Sequence, residues 1–148
     1  MDIQYTLASH GDLDILMQFV AEFYQLDGHQ FDPPTMSQAL TDLIAHEQYG
    51  RVWLIAQGDR PIGYVVLTFG YSLEYHGRDA IVDEIYLQEP FRGQGIGKQT
   101  FAFVEAACRQ LGIHALHLEV MTANEAAYDF YRRLGYEGRP SHFLHKWL

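Results

Sequence analysis

Ala80-Ile-Val-Asp-Glu-Ile-Tyr-Leu87, continuing as Gln88-Glu-Pro-Phe-Arg-Gly-Gln-Gly-Ile-Gly-Lys-Gln-Thr100, is the stretch whose reading decides the fold. Its first half is rich in β-branched and aromatic residues and predicts a strand. Pro90 ends it. Glycines follow at every second position, Gly93, Gly95 and Gly97, and then a helical pattern of Ile96, Phe103, Val104, Ala107 and Leu111. A glycine-rich turn at a helix N-terminus lets backbone N–H groups converge on an anion. Arg92 and Lys98 add full positive charges, so the expected guest is a phosphate or pyrophosphate. An ordinary strand-to-helix turn is the competing reading of these residues alone.

Working outward, Ile3–Leu7 alternates as a first strand. Leu13, Leu16, Met17, Val20 and Phe23 or Tyr24 form one helical stripe. Leu26 to Asp32 is a polar loop punctuated by Pro33 and Pro34, and Thr35 with Gln38 has capping-box spacing for a second helix ending near Gly50. Residues 51–57 and 62–69 read as a hairpin around Gly58-Asp-Arg-Pro61, and Tyr71 to Arg78 as a longer connection. After the central strand, loop and third helix, Ala115 to Met121 alternates again. Thr122-Ala-Asn-Glu125 has full capping-box spacing, and Tyr136 to Leu148 is apolar enough for one or two closing strands. The predicted order is β-α-α-β-β-β-α-β-α-β, with room for one more strand. That gives an α/β single domain over residues 1–148, with a mixed, mostly antiparallel sheet of six to seven strands and about four helices on both faces.

Composition narrows the function. The chain of 148 residues is 48% hydrophobic and 20% charged, as expected for one globular domain. Its net charge of −9 argues against a broad nucleic-acid surface. No apolar run has membrane-spanning length and no signal peptide is visible. One cysteine, Cys108, excludes an internal disulfide, reads as a packing residue, and points to a reducing cytoplasm.

Two motifs then carry a resemblance. A Walker loop fails twice, because Arg92 stands where its first glycine belongs and Gln99 follows Lys98. The dinucleotide pattern G-x-G-x-x-G fails from either Gly93 or Gly95. What remains, Arg-x-x-Gly-x-Gly at 92–97, resembles the acyl-CoA pyrophosphate loop of the GNAT superfamily of CoA-dependent N-acyltransferases. Further on, Asn124, Ala127, Phe130-Tyr131 and Gly135-Tyr136 are similar to that family's signature after its fifth strand.

The resemblance implies an enzyme moving an acetyl group from acetyl-CoA to a primary amine, with no metal. Backbone groups of Ile85, Tyr86 and Leu87 would pair with the pantetheine arm in a gap between the fourth and fifth strands. Arg92, Gly93, Gln94, Gly95, Ile96, Gly97 and Lys98 would hold the pyrophosphate. Asn124 would bond the coenzyme arm, and Tyr131 would protonate the leaving thiolate. Asp83 is assigned as base or water relay, on the face of Ile81 and Ile85, and Glu84 as anchor of the acceptor amine. Adjacent strand residues face opposite sides, so both can serve one site only across a bulge. A salt-bridged surface pair is the plainer reading of these two. Tyr24, Glu74 and Tyr75 are further acceptor-pocket candidates, and His76 an alternative base. The acidic balance favours a cationic small amine or peptide amine. Relatives commonly dimerise, which leaves a homodimer open. The alternative function is a non-catalytic acyl-CoA sensor on the same fold.

Overall fold

The computed structural model describes residues 2–148. The chain divides into two compact units, one running to Leu118 and the other Glu119–Leu148.

The first unit is built on one sheet in the order β1-β2-β3-β4-β5. The strands are β1 (Ile3–Leu7), β2 (Gly50–Gln57), β3 (Arg60–Ser72), β4 (Gly77–Leu87) and β5 (Ala115–His117). The first three pairings are antiparallel and β4 pairs β5 in parallel, so the sheet is mixed and mostly antiparallel as expected. Helices α1 (Leu13–Asp27) and α2 (Pro33–Ala45) cover one face. Leu16, Phe19, Val20 and Leu40 pack there with Val52, Leu54, Tyr64, Val66 and Tyr86. Helix α3 (Ile96–Gln110) takes the other face, where Phe103 stacks on Tyr5 at 4.3 Å and meets Trp53 edge-on at 5.2 Å. Its buried stripe is Ile96, Thr100, Phe101, Val104 and Cys108, displaced from the expected Phe103, Ala107 and Leu111, which are only half-buried. Cys108 is a packing residue, and burial raises its thiol to about 11.

Several boundaries differ from the sequence reading. Asp32, not Thr35, caps α2: its carboxylate accepts from Thr35 N–H at 3.2 Å and from the Thr35 hydroxyl. Pro33 and Pro34 therefore open the helix instead of breaking the loop, since the first turn needs no N–H donors. The expected long connection at Tyr71–Arg78 is absorbed into a hairpin, with Ser72 opposite Gly77 and a tight turn over residues 73–76. His76 takes the left-handed φ of 68°.

The sheet has five strands, not six or seven. Strand β5 stops at His117 instead of Met121: its ladder on β4 ends at Ile81, two residues before the position where β4 shifts register against β3. No strand follows Tyr136 among the described residues. Gly138 and Pro140 interrupt that segment, and Phe143 and Trp147, which would have marked a buried strand face, are exposed.

The second unit holds α4 (Glu125–Arg133). Asn124 caps it through its side-chain oxygen, 3.2 Å from Ala127 N, so the cap lies two residues later than the Thr122 box implied. Gly135 at φ 98° turns the chain, and Tyr136 N–H bonds back to Tyr131 O at 3.1 Å. Among the described residues no helix is long and apolar enough to cross a membrane.

The α2 cap is testable. Asp32→Ala should lower unfolding free energy by about 1 kcal/mol in urea melts. An unchanged midpoint would return the cap to Thr35.

Candidate functional site

Strand β4 carries an extra residue. Val66 of β3 pairs with Glu84 and Leu67 pairs with Val82, so Asp83 has no partner in the ladder. An inserted residue resets the side-chain alternation. Ile81 lies opposite Thr68 and Glu84 opposite Val66, so both sit on the face covered by α1 and α2 although they are three positions apart, an odd spacing. The expectation that Ile85 shares the face of Asp83 and Ile81 fails for this reason; Glu84 and Tyr86 take that place. The bulge is the condition under which Asp83 and Glu84 can serve one site.

Glu84 is held by two tyrosines. Tyr64 Oη donates to its Oε1 at 2.8 Å and Tyr24 Oη donates to its Oε2 at 2.5 Å. Burial raises the Glu84 carboxyl above its ordinary value, and these two hydrogen bonds oppose the rise. Burial, reinforced by the Glu84 hydrogen bond and charge, pushes the Tyr24 hydroxyl up, and Tyr64 likewise. Both phenols therefore stay protonated and act as donors. Desolvation also raises Asp83, although its side chain reaches solvent. His29 and Phe31, from the turn after α1, stand against the Tyr24 ring at 5.4 and 6.1 Å. Tyr64 and His29 escaped the sequence reading. Tyr64 was legible only as one residue of a buried strand, and His29 only as part of a polar loop.

Beside this group lies a cleft of about 200 Å³ lined by Phe23, Leu26, Asp27, Ile85, Tyr86, Leu87 and Arg92. Tyr86 Oη donates to Glu22 at 2.7 Å, and burial with that carboxylate raises it to about 12. Among the described residues no strand pairs with the β4 edge here: its ladder to β5 covers only Asp79 to Ile81. Gln88 N–H bonds to Ile62 O across β3. By antiparallel alternation, Tyr86 directs its main-chain groups to β3, while Ile85 and Leu87 direct theirs to the open edge. Leu87 O there accepts from Arg92 Nε at 2.8 Å. Of the three expected backbone contacts, Ile85 and Leu87 are oriented outward and Tyr86 is not.

The glycine turn leads from this edge into α3. Gly93 and Gly95 take φ of 72° and 83°, with open space where a Cβ would stand. Gly97 lies inside the first helical turn. Helix geometry leaves the N–H groups of Ile96, Gly97 and Lys98 without intrahelical acceptors. Arg92, Gln94 and Lys98 are exposed around them. Gln94 is turned back, donating to Pro90 O at 2.8 Å.

Glu74 and Tyr75 do not join this group. They sit in the β3–β4 turn, and Gly77 to Glu84 alone spans about 23 Å of strand. His76 lies in the same turn. In the second unit, Tyr131 packs edge-on to Phe130 at 5.2 Å and Tyr136 at 6.3 Å, and burial raises its phenol. The Asn124 oxygen is engaged in its own helix cap. Among the described residues no cluster of three or more His, Cys, Asp or Glu is arranged to hold a metal.

A strand bulge, a strand edge left unpaired beyond Ile81 and a glycine turn into a helix thus follow one another along β4 and the start of α3. A model of the acetyltransferase (GNAT) family matches residues 16–136, and the chain belongs to that family. It is 35% identical over 79 residues to the thialysine N-ε-acetyltransferase of Bos taurus, covering 53% of this chain and 46% of that protein. It is 32% identical over 82 residues to the aminoalkylphosphonate N-acetyltransferase of Salmonella typhimurium, covering 55% and 52%. The chain thus spans about half the length of these curated relatives. A solved integron cassette protein from the mobile metagenome of Cole Harbour Salt Marsh superposes with a TM-score of 0.87 at 33% identity, over 98% of this chain and 90% of that one.

The electrostatics of Glu84 are testable without an assay. Its pKa is raised on folding, so its contribution to stability is full at low pH and is lost as pH rises through that raised value. Glu84→Gln is nearly isosteric, accepts from one tyrosine through its oxygen and donates to the other through its N–H₂, and has no charge to desolvate. Its melting temperature relative to the native protein should climb as pH rises above the ordinary glutamate range. A relative decline with rising pH would mean the ionised form is favoured by folding.

Proposed function

We propose that the chain is an N-acetyltransferase that moves an acetyl group from acetyl-CoA to a primary amine by direct attack in a ternary complex. Residues 1–148 form one catalytic domain on this reading, supported by a family model that spans both compact units. The observation that carries it is the Asp83 bulge, which sets two carboxylates beside a strand edge leading into the Gly93–Gly95 turn.

The roles follow from chemistry. An ammonium has no lone pair, so the acceptor must lose a proton before attack, and Asp83 serves as base or water relay. Glu84, braced by Tyr24 and Tyr64, holds the acceptor amine. The outward main chain of Ile85 and Leu87 pairs with the pantetheine arm, and a free N–H on this edge stabilises the developing oxyanion. The turn from Arg92 to Lys98 takes the pyrophosphate. Asn124 offers its amide N–H₂ to the coenzyme, since its oxygen is used by the cap. Tyr131, a phenol protonated at neutral pH whose hydroxyl burial raises further, supplies the proton for the leaving thiolate. The two curated relatives are named for amines, thialysine and aminoalkylphosphonates. With a net charge of −9 and carboxylates at the site, a cationic small amine or peptide amine fits best.

Acetyl-CoA turnover against a panel of lysine, thialysine, aminoalkylphosphonates, diamines and short peptides tests the reading. Coenzyme binding without transfer to any amine would mark a non-catalytic binder. Tyr131→Phe should lower kcat about 100-fold with little change in the KM for acetyl-CoA; an unchanged kcat removes it from the mechanism. Lys98→Glu, on an exposed helix N-terminus, should raise that KM about tenfold and leave the melting temperature intact. A native KM would displace the pyrophosphate from this turn.

A further inference from the structure

His117 is the last residue of β5 and stands opposite Ile81, the last β4 residue in that ladder. Beyond this point the β4 edge is open. His117 Nε2 lies 3.1 Å from Asp79 Oδ2. Asp79 pairs with Gly70 and Ile81 with Thr68, both on the β3 face that carries Tyr64 and Val66. The Asp79–His117 pair therefore shares a face with Glu84, at the point where the open edge begins. Asp83 follows Ile81 by two residues, about 7 Å along the strand.

The pairing fixes the imidazole. An ionised carboxylate only accepts, so a neutral imidazole beside it carries its proton on Nε2 and presents the Nδ1 lone pair. The Tyr75 ring meets His117 edge-on at 4.6 Å and limits its rotation. The side chain remains 32% exposed, so water reaches it. Asp79 on β4 and Tyr75 in the β3–β4 turn face the ring. Its β5 neighbour Leu116 is apolar.

We propose that His117, oriented by Asp79, is the terminal acceptor of the proton lost by the acceptor ammonium, with Asp83 and water relaying it. The inference rests on the acetyltransferase reading given above. The N–H bond of the ammonium breaks, its electron pair stays on nitrogen for attack, and the proton ends on Nδ1 and passes to solvent. The second amine proton leaves with the thiolate as thiol. A magnitude favours an imidazole over a carboxylate in this place. From model-group values, an alkylammonium gives its proton to a carboxylate with an equilibrium unfavourable by about 10⁶-fold, against about 10⁴-fold for an imidazole.

The test is the pH profile of kcat/KM with acetyl-CoA and the best acceptor of the panel. His117→Gln keeps an N–H donor towards Asp79 but cannot take a proton. It should melt like the native protein, hold its KM for acetyl-CoA, lose about 100-fold in kcat, and lose the acid limb of the profile. Imidazole added to His117→Ala should restore part of the turnover. Asp79→Asn, which retains the histidine but not its anionic partner, should cut kcat about tenfold and displace the limb. A limb unchanged in both His117→Gln and Asp79→Asn overturns the inference even if turnover falls, because the pair is then only a clip between two strands. Absence of transfer to any amine by the native protein overturns the acetyltransferase reading and this inference with it.

Discussion

One surplus residue in β4 governs the site. Were Asp83 paired in the ladder opposite Val66, Glu84 would point to the α3 face, among Val65, Leu67 and Val82, where a carboxylate would meet only apolar neighbours. With Asp83 bulged out of the ladder, Glu84 turns towards Tyr64 and Tyr24 and finds two donors. The same irregularity coincides with the end of the β4–β5 ladder. A bulge thus redirects an acidic group and leaves a strand edge unpaired within a few residues of one another. Unpaired edges in a folded sheet are a hazard unless something covers or uses them. In the proposed reaction, the extended arm of a coenzyme uses this one.

Charge is divided in a way that suits such a reaction. The acidic groups Asp83, Glu84 and Glu22 gather on the face of α1 and α2, while Arg92 and Lys98 flank the turn into α3. Arg92 is shared between roles: its Nε is bonded to Leu87 O, and its guanidinium lies 5.6 Å from the Tyr86 ring. These contacts fix where its positive charge stands at the mouth of the cleft. Tyr24 and Tyr64 are phenols, raised further by burial, so Glu84 is oriented by hydrogen-bond donors that do not themselves titrate near neutrality.

The sequence reading was strongest where the pattern is local. The strand at 80–87, the glycine turn and the helix behind it follow from residue types that have one economical backbone solution each. Asp83, Glu84, Tyr24 and the turn at 92–98 are singled out by the sequence, and the fold brings Tyr24 and Glu84 into contact. Tyr64 is not singled out, because a tyrosine inside an apolar run carries no local sign of its partner. Asp79 and His117 lie 38 residues apart and become a pair only through a parallel crossover. Glu74 and Tyr75 are candidates from their place in the segment before β4; hairpin geometry sets them in the turn before Gly77, where the Tyr75 ring meets His117 and not Glu84.

What the amino-acid order determined by itself was the succession of elements up to α4, the membership of the family, and the chemistry available at each position. These depend on short-range dihedral preference and periodicity, which neighbours in the chain impose on one another. Only the tertiary structure decided which side of β4 each acidic side chain faces, where β5 stops, and that the segment after Tyr136 forms no strand among the described residues. Those outcomes depend on ladder register between strands far apart in sequence, and a single unpaired residue reverses the assignment of everything that follows it.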